Sequence, residues 1–595
     1  DLEWLATLRA CADDQQQRCA DNQILLEQYL YPLSSNPALL SDEGYDLLLS
    51  FCRDFYYSNY TEPALLIRII DILLPHYEDR SDTESLLFLY ICAGFSYMEL
   101  SRTGEPTSRD KTIYFYTKVL SYRDQIEFFE SAASRDYIFI AYYNLIRVAP
   151  GLGILDIETA YRLWEELCQI RTMPKFCQYD TTNPRIPQLC DRAINDFRAY
   201  GAVLNVERVI APSAILSSLE NMTQVYYAEI LHEHGSIYEC PVFTVFNYHY
   251  VQARNGTITW EAAWQILDDY YVHKMQTIGQ VSSPDLLAFY TNLPLNLIDV
   301  LGHTHFKEEF KQATYRRYRN LITSYLMNQP ASLNSYTLNN GVQLVAFHPL
   351  ILGTFQNRME KMNFIVDLVV TRHLTTFTHS VMVSYLAEAI GKHILAARPE
   401  LLRIPSSYLE GNVYASPAEV LDYIVPAALF HDIGKNGMIP IINTQHRKLN
   451  DYEFNIIQTH PQKGSDYLSS DPDFLIYQPV ALGHHRSYDG TRGYPLSFDN
   501  TASPYRDAID LIHICDCLDA ATDYLSRNYH RAKPFDVVLN ELKAGRGTEY
   551  NPDMVDVILS DRELYNDLKM LTEQNRENIY YDIYLTFVNL RKKRQ

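Results

Sequence analysis

Apolar and aromatic residues recur three and four apart from Leu2 to about Phe197, interrupted by short polar stretches such as Ser101-Arg102-Thr103-Gly104-Glu105-Pro106. This spacing paints one face of a 3.6-residue helix, so it predicts helix after helix and no strand. The pattern continues from about Ala202 to Met327, most clearly in Trp260-Glu261-Ala262-Ala263-Trp264-Gln265-Ile266-Leu267 and from Phe306 onward. The polar run from Asn328-Gln329-Pro330 to Asn339-Asn340-Gly341 predicts a linker, with a new domain starting near 350. The expected fold is therefore all-α in three segments. Residues 1–200 form a helical array for sensing or interaction, 201–345 a middle segment and linker, and 346–595 a C-terminal helical domain.

Within the first segment, Ala93-Gly94-Phe95-Ser96-Tyr97 and Ala141-Tyr142-Tyr143-Asn144-Leu145 each set small beside aromatic residues within one turn, and each precedes a second helix. They loosely resemble tetratricopeptide hairpins. Their separation of 48 residues exceeds that repeat's period of about 34, which leaves an irregular array equally open. Stacked hairpins offer a concave surface to a peptide or protein partner, and a purely packing or dimerising role is the alternative.

Composition narrows the partners. With 51 Lys plus Arg against 73 Asp plus Glu, the net charge of −22 repels polyanions and argues against DNA or RNA polymers. Ten cysteines without a C-x-x-C pair fit a reducing cytoplasm. No run of 18 apolar residues suggests a membrane span, and no leader is visible; because the chain begins with Asp1, a leader or further domain removed ahead of it stays open. The 47 tyrosines are the unusual count.

Candidate chemistry concentrates after residue 371. His379, His431, Asp432, His460, His484, His485 and Asp516 punctuate predicted helices, with an adjacent His-Asp and an adjacent His-His. One such histidine is ordinarily a core or surface residue; the set implies a site needing several nitrogen and oxygen ligands. Imidazole with carboxylate suits Fe, Mn, Ni or Zn. Asp432 is placed to bridge two ions, and two divalent ions with two aspartates and a hydroxide leave the inner site at about +1, a local reversal that suits a phosphodiester. By contrast His303 and His305, two apart, would point in different directions on a helix and are expected to be ordinary surface or turn residues. Cys515 and Cys517 flank Asp516 but point about 100° away from it and are expected to be inert.

In order and spacing, His431-Asp432-Ile433-Gly434-Lys435, His460-Pro461 with Gly464, His484-His485 and Asp489-Gly490-Thr491-Arg492-Gly493-Tyr494-Pro495 resemble the HD-GYP family of bacterial phosphodiesterases. The resemblance covers about 190 residues. It implies an all-helical HD-type domain, two or three metals with Fe or Mn foremost, and hydrolysis of cyclic di-GMP to linear pGpG or on to GMP. It also implies that His379, His431, Asp432 and Asp516 hold one ion while Asp432, His460, His484 and His485 hold the other. Lys435 would meet the scissile phosphate; Asp489, Gly490 and Tyr494 would contact substrate or shape a turn; Arg527 and Lys533 would grip phosphates and base edges. If the helix continues past Asp432, Lys435 three residues on shares its side.

Three departures accompany the resemblance. Thr375 stands where three-metal members carry a Glu, so two metals are expected, with pGpG as the main product. Arg486 replaces a common acidic residue, and Thr491-Arg492 is one residue longer than usual, which bears on the substrate. Two other readings follow: a non-catalytic receptor for a cyclic dinucleotide, and a hydrolase of cyclic GMP-AMP or another nucleotide.

Overall fold

The computed structural model describes residues 40–592 apart from 58–62, 106, 129–130, 180–183, 204–212, 278–282, 328–335, 371–373, 407–412, 439–448, 450 and 526–531. Among the described residues the secondary structure is helical, with isolated bridges and no strand. None of the described helices is long and apolar enough to cross a membrane. The chain divides into two compact units between Thr314 and Tyr315, where the sequence suggested boundaries near 200 and 345.

In the first unit, the Thr83–Ser101 helix is apolar on almost every face, and from Ser85 to Leu100 nearly all of it is buried. A helix hydrophobic all round must be enclosed, and the Pro63–Arg80 and Ser108–Leu120 helices pack against it. The two small-and-aromatic stretches lie in this core. Asn144 of the second donates to the buried Tyr116 hydroxyl at 2.9 Å. The tyrosine-rich, acidic composition has a use here: Tyr77 donates to Asp46, Tyr142 to Glu166 and Tyr143 to Asp196, at 3.0, 2.8 and 3.1 Å. Each ring fills apolar space while its hydroxyl partners a carboxylate nearer the surface. His303 stacks on Trp260, with centroids 4.5 Å apart, at the end of the Asn292–Gly302 helix.

The second unit is built on the Leu374–Ala397 helix, which packs against the Pro417–Phe430 and Arg506–Thr522 helices. Ser416 starts the Pro417–Phe430 helix with a capping box to Glu419. The C-terminal Arg576–Lys592 helix contributes Ile579 and Ile583 to a cluster with Phe377 and Met382.

One expectation is corrected. The polar linker is not continuous to Gly341, because Tyr336–Ala346 is a helix; residues 328–335 lie outside the described set. Tertiary contacts override the weak local signal of Asn339-Asn340-Gly341. Val342 and Val345 are buried, and Gln343 donates to the Asn436 carbonyl at 2.5 Å while accepting from the Tyr467 hydroxyl.

Candidate metal centre

The seven singled-out side chains converge. His379 comes from the Leu374–Ala397 helix, and His431 ends the Pro417–Phe430 helix. His460 opens the His460–Leu468 helix, His484 caps Gln478–Gly483, and Asp516 lies in Arg506–Thr522. Their ligand atoms fall into two groups, each within 4.8 Å: Asp432 with His460, His484 and His485, and His379 with His431 and Asp516. Asp432 also reaches the second group, its Oδ2 lying 3.6 Å from His379 Nε2 and 3.5 Å from His431 Nε2.

The backbone fixes which nitrogens face inward. His431, His460 and His484 each place Nδ1 within hydrogen-bond distance of a carbonyl, of Ala428, Ile457 and Ala481, at 2.6, 2.6 and 2.9 Å. A carbonyl only accepts, so Nδ1 carries the proton and a neutral ring presents a bare Nε2 to the centre. His460 Nε2 and His484 Nε2 are 3.1 Å apart, and each lies close to Asp432 Oδ1, at 3.1 and 3.5 Å. Three electron-rich atoms facing one another repel unless a cation lies among them. Buried His431 Nε2, Asp432 Oδ1 and His485 Nε2 also have no hydrogen-bond partner. The donor set thus fits metal ions of the imidazole-and-carboxylate type.

Electrostatics agree. Burial pushes His484 down to about 4, and burial likewise lowers His460 and His485, so all three rings are neutral at pH 7 and ready to ligate. Burial would raise Asp432, but Lys435 and His431 overcome it and hold the carboxyl well below its ordinary range. Asp516 is likewise ionised against its burial, chiefly through its hydrogen bond with His379.

Behind His379 lies a layer the motif does not reveal. Asp519 Oδ2 is 2.6 Å from His379 Nδ1, orienting Nε2 toward Asp516 Oδ1 at 2.9 Å. Asp519 Oδ1 in turn accepts from Arg576 Nη1 at 2.8 Å, and that guanidinium is fully buried. The available sequence signal was Asp519 three residues after Asp516, one turn along the same helical face.

Lys435 reaches Asp432 by a route other than the expected helix. The helix stops at Phe430 and residues Ile433–Gly437 form a 3₁₀ turn. Side chains three apart eclipse in that geometry, and Lys435 Nζ lies 2.6 Å from Asp432 Oδ2. Gly434 permits the turn to lie on the next helix: a Cβ there would fall 1.9 Å from the His460 carbonyl oxygen.

The remaining candidates divide. Tyr494 stands beside the cluster, its ring centroid 4.6 Å from His485 and 6.0 Å from His460. Asp489 accepts from Ser487 Oγ, Thr491 N and Thr491 Oγ1, bonds that lower it to about 2; with Gly490 it builds the turn. Arg486 is buried and donates to the carbonyls of Gly490 and Gly493, so it braces this loop from behind. Lys533 pairs with Glu541 at 2.7 Å. Arg527 lies outside the described residues. Cys515 is buried and its thiol raised by burial, and neither it nor Cys517 belongs to the ligand groups.

Gly493 is the tightest point of the loop, with φ +86° and a hypothetical Cβ only 1.8 Å from the His485 carbonyl oxygen. Gly547 has φ +78° but open space around its Cβ. Gly547→Ala should cost only the backbone term, about 1 kcal/mol, whereas Gly493→Ala should cost about 3 kcal/mol or more as the clash adds to the strain. Equal thermal midpoints for the two variants would show that the loop relaxes freely.

Comparison with known proteins places this geometry in a class: residues 376–527 match the family model of the HD domain. More particularly, the chain is 26% identical over 303 residues to a cyclic di-GMP phosphodiesterase of Vibrio cholerae, a match covering 46% of this chain and 60% of that protein. It is 33% identical over 146 residues to the cyclic di-GMP phosphodiesterase response regulator RpfG of Xanthomonas campestris, covering 24% and 37%. A 3'3'-cGAMP-specific phosphodiesterase of Vibrio cholerae is 25% identical over 203 residues, covering 34% and 37%. The chain thus spans less than two thirds of the length of each of these relatives.

Proposed function

We propose that the second unit is a metal-dependent phosphodiesterase that opens a cyclic dinucleotide, with cyclic di-GMP the first candidate and linear pGpG its product. The observation that carries this reading is Asp432, buried between two ligand groups and within 3.6 Å of four imidazole Nε2 atoms. His379, His431, Asp432 and Asp516 would hold one divalent ion, and Asp432, His460, His484 and His485 a second, with Fe or Mn suited to both sets.

Ions held there would acidify water and draw charge from a phosphodiester. The protein's own part is to fix geometry. Carbonyls lock three imidazoles in the ligating tautomer, Asp519 aims the fourth, and burial keeps bulk water from screening the charges. Lys435, held by Asp432, presents its ammonium where negative charge grows on the phosphoryl oxygens. The runner-up substrate is cyclic GMP-AMP, favoured by the cGAMP-specific relative. The first unit would be the input, binding a protein or peptide partner.

Protein loaded with Mn or Fe without oxygen should convert cyclic di-GMP to a linear product, read by chromatography beside cyclic GMP-AMP. Intact nucleotide in both reactions, with two ions bound, would instead support a receptor. Removing the ions should also loosen the unit, because the facing nitrogens and carboxylates lose their counter-charge. Chelation is expected to lower the thermal midpoint by roughly 5–10 °C relative to protein with metal at a hundred times Kd. Scanning calorimetry with and without re-added Mn checks this; coincident transitions would refute the site.

A further inference from the structure

Phe454 is 46% exposed on the short Asp451–Ile457 helix, an unusual position for a large apolar ring beside a polar centre. It touches Tyr494 edge to face, with centroids 6.3 Å apart and planes at 80°. Tyr494 in turn leans on His485, and Leu496, two residues on, is 73% exposed. An apolar aromatic wall therefore begins at the ligand cluster and runs outward. Its inner end is held firmly. Tyr494 N donates to the His485 carbonyl at 3.3 Å, and Arg486 holds the carbonyls of Gly490 and Gly493 just before it. The backbone around Tyr488 and Asp489 is tied to Glu549 and Thr548 at 2.9 and 3.0 Å.

We propose that Phe454 and Tyr494 form a nucleobase-binding wall at the mouth of the site, and that Arg486 is the positioning residue that sets Tyr494 in it. The proposal rests on the phosphodiesterase reading and names the part of the substrate that reading leaves unplaced. A phosphate on the ligand cluster puts its attached nucleoside against the neighbouring surface, and here that surface is aromatic. Aromatic rings take the π-face of any base, so the wall contributes affinity for the nucleoside and not for the phosphate. The two departures around Arg486 also become one feature: the loop with Thr491-Arg492 is longer, and Arg486 is the donor that satisfies its inward carbonyls.

The test is calorimetric binding of GMP and of inorganic phosphate to metal-loaded protein, so it is decided whether or not the protein turns over a cyclic dinucleotide. Phe454→Ala should weaken GMP roughly five- to hundredfold while phosphate binds as before. Phe454→Trp should restore GMP, and Leu475→Ala, equally exposed but elsewhere, should leave GMP affinity alone. Arg486→Met should show the same selective loss, and Arg486→Lys, which has one ammonium for two carbonyls, an intermediate one. GMP that fails to bind the unaltered protein, GMP affinity unmoved by Phe454→Ala, or phosphate affinity falling in step with it would each overturn the wall. Unchanged GMP affinity in Arg486→Met would overturn the positioning role. Failure of the catalytic reading shows separately, as absent turnover with GMP binding still sensitive to Phe454.

Discussion

Replacing Asp432 by Ala is expected to abolish turnover, by roughly a thousandfold or more, the rate equivalent of the several kcal/mol that bound ions contribute. Asp432 lies against both ligand groups, through Oδ2 on one side and Oδ1 on the other, and its Oδ2 also holds Lys435. Its removal takes away a ligand from each group, the negative charge that balances two cations, and the anchor of the ammonium. Metal analysis after dialysis should show a loss of bound ion from the two expected, and the effects of Asp432→Ala and Lys435→Ala should be far from additive, because they act through one arrangement. Full metal content with full activity in Asp432→Ala would remove the site assignment altogether.

The second large effect is expected far from the motif, at Arg576. Its guanidinium donates to Asp519 Oδ1 and Thr522 Oγ1 at 2.8 Å each and to the Thr572 carbonyl at 3.0 Å, with Asp523 Oδ1 at 3.6 Å. Both ends of these contacts are fully buried. Breaking a buried pair from one side leaves an uncompensated charge in the interior, at about 3–5 kcal/mol. For a unit of this size that corresponds to a fall of roughly 6–20 °C in the thermal midpoint. Arg576→Met should also lower metal affinity about 10–100-fold, since Asp519 orients His379. Calorimetry and metal content measured on the same preparation check both; an unchanged midpoint with full metal content would mean that Arg576 neither compensates nor positions.

These expectations also show where sequence reading stopped. The helical class followed from apolar spacing alone, because that period is a local property of the chain. The seven ligand candidates could be picked out because they are chemically rare together, and the structure gathers all seven. The condition attached to Lys435, that the helix continue past Asp432, is not met: the chain turns into 3₁₀ geometry at Ile433, where Gly434 lets two backbones touch, and Lys435 still reaches Asp432. Asp489 was expected to contact substrate or shape a turn, and its bonds to Ser487 and Thr491 lie within that turn; Arg486, a departure bearing on the substrate, donates to the Gly490 and Gly493 carbonyls.

By itself the sequence determined the helical class, the chemical kind of the candidate site and the order of its side chains, since each is encoded within a few residues. Only the tertiary structure decided which unit the middle helices join, which nitrogen of His379 faces inward, and what stands behind it. Those depend on partners 140 residues apart in His379–Asp519, 57 in Asp519–Arg576 and 93 in Gln343–Asn436. No periodicity or spacing along one chain carries such distances; they exist only once apolar faces have packed and every buried charge has had to find a counterpart.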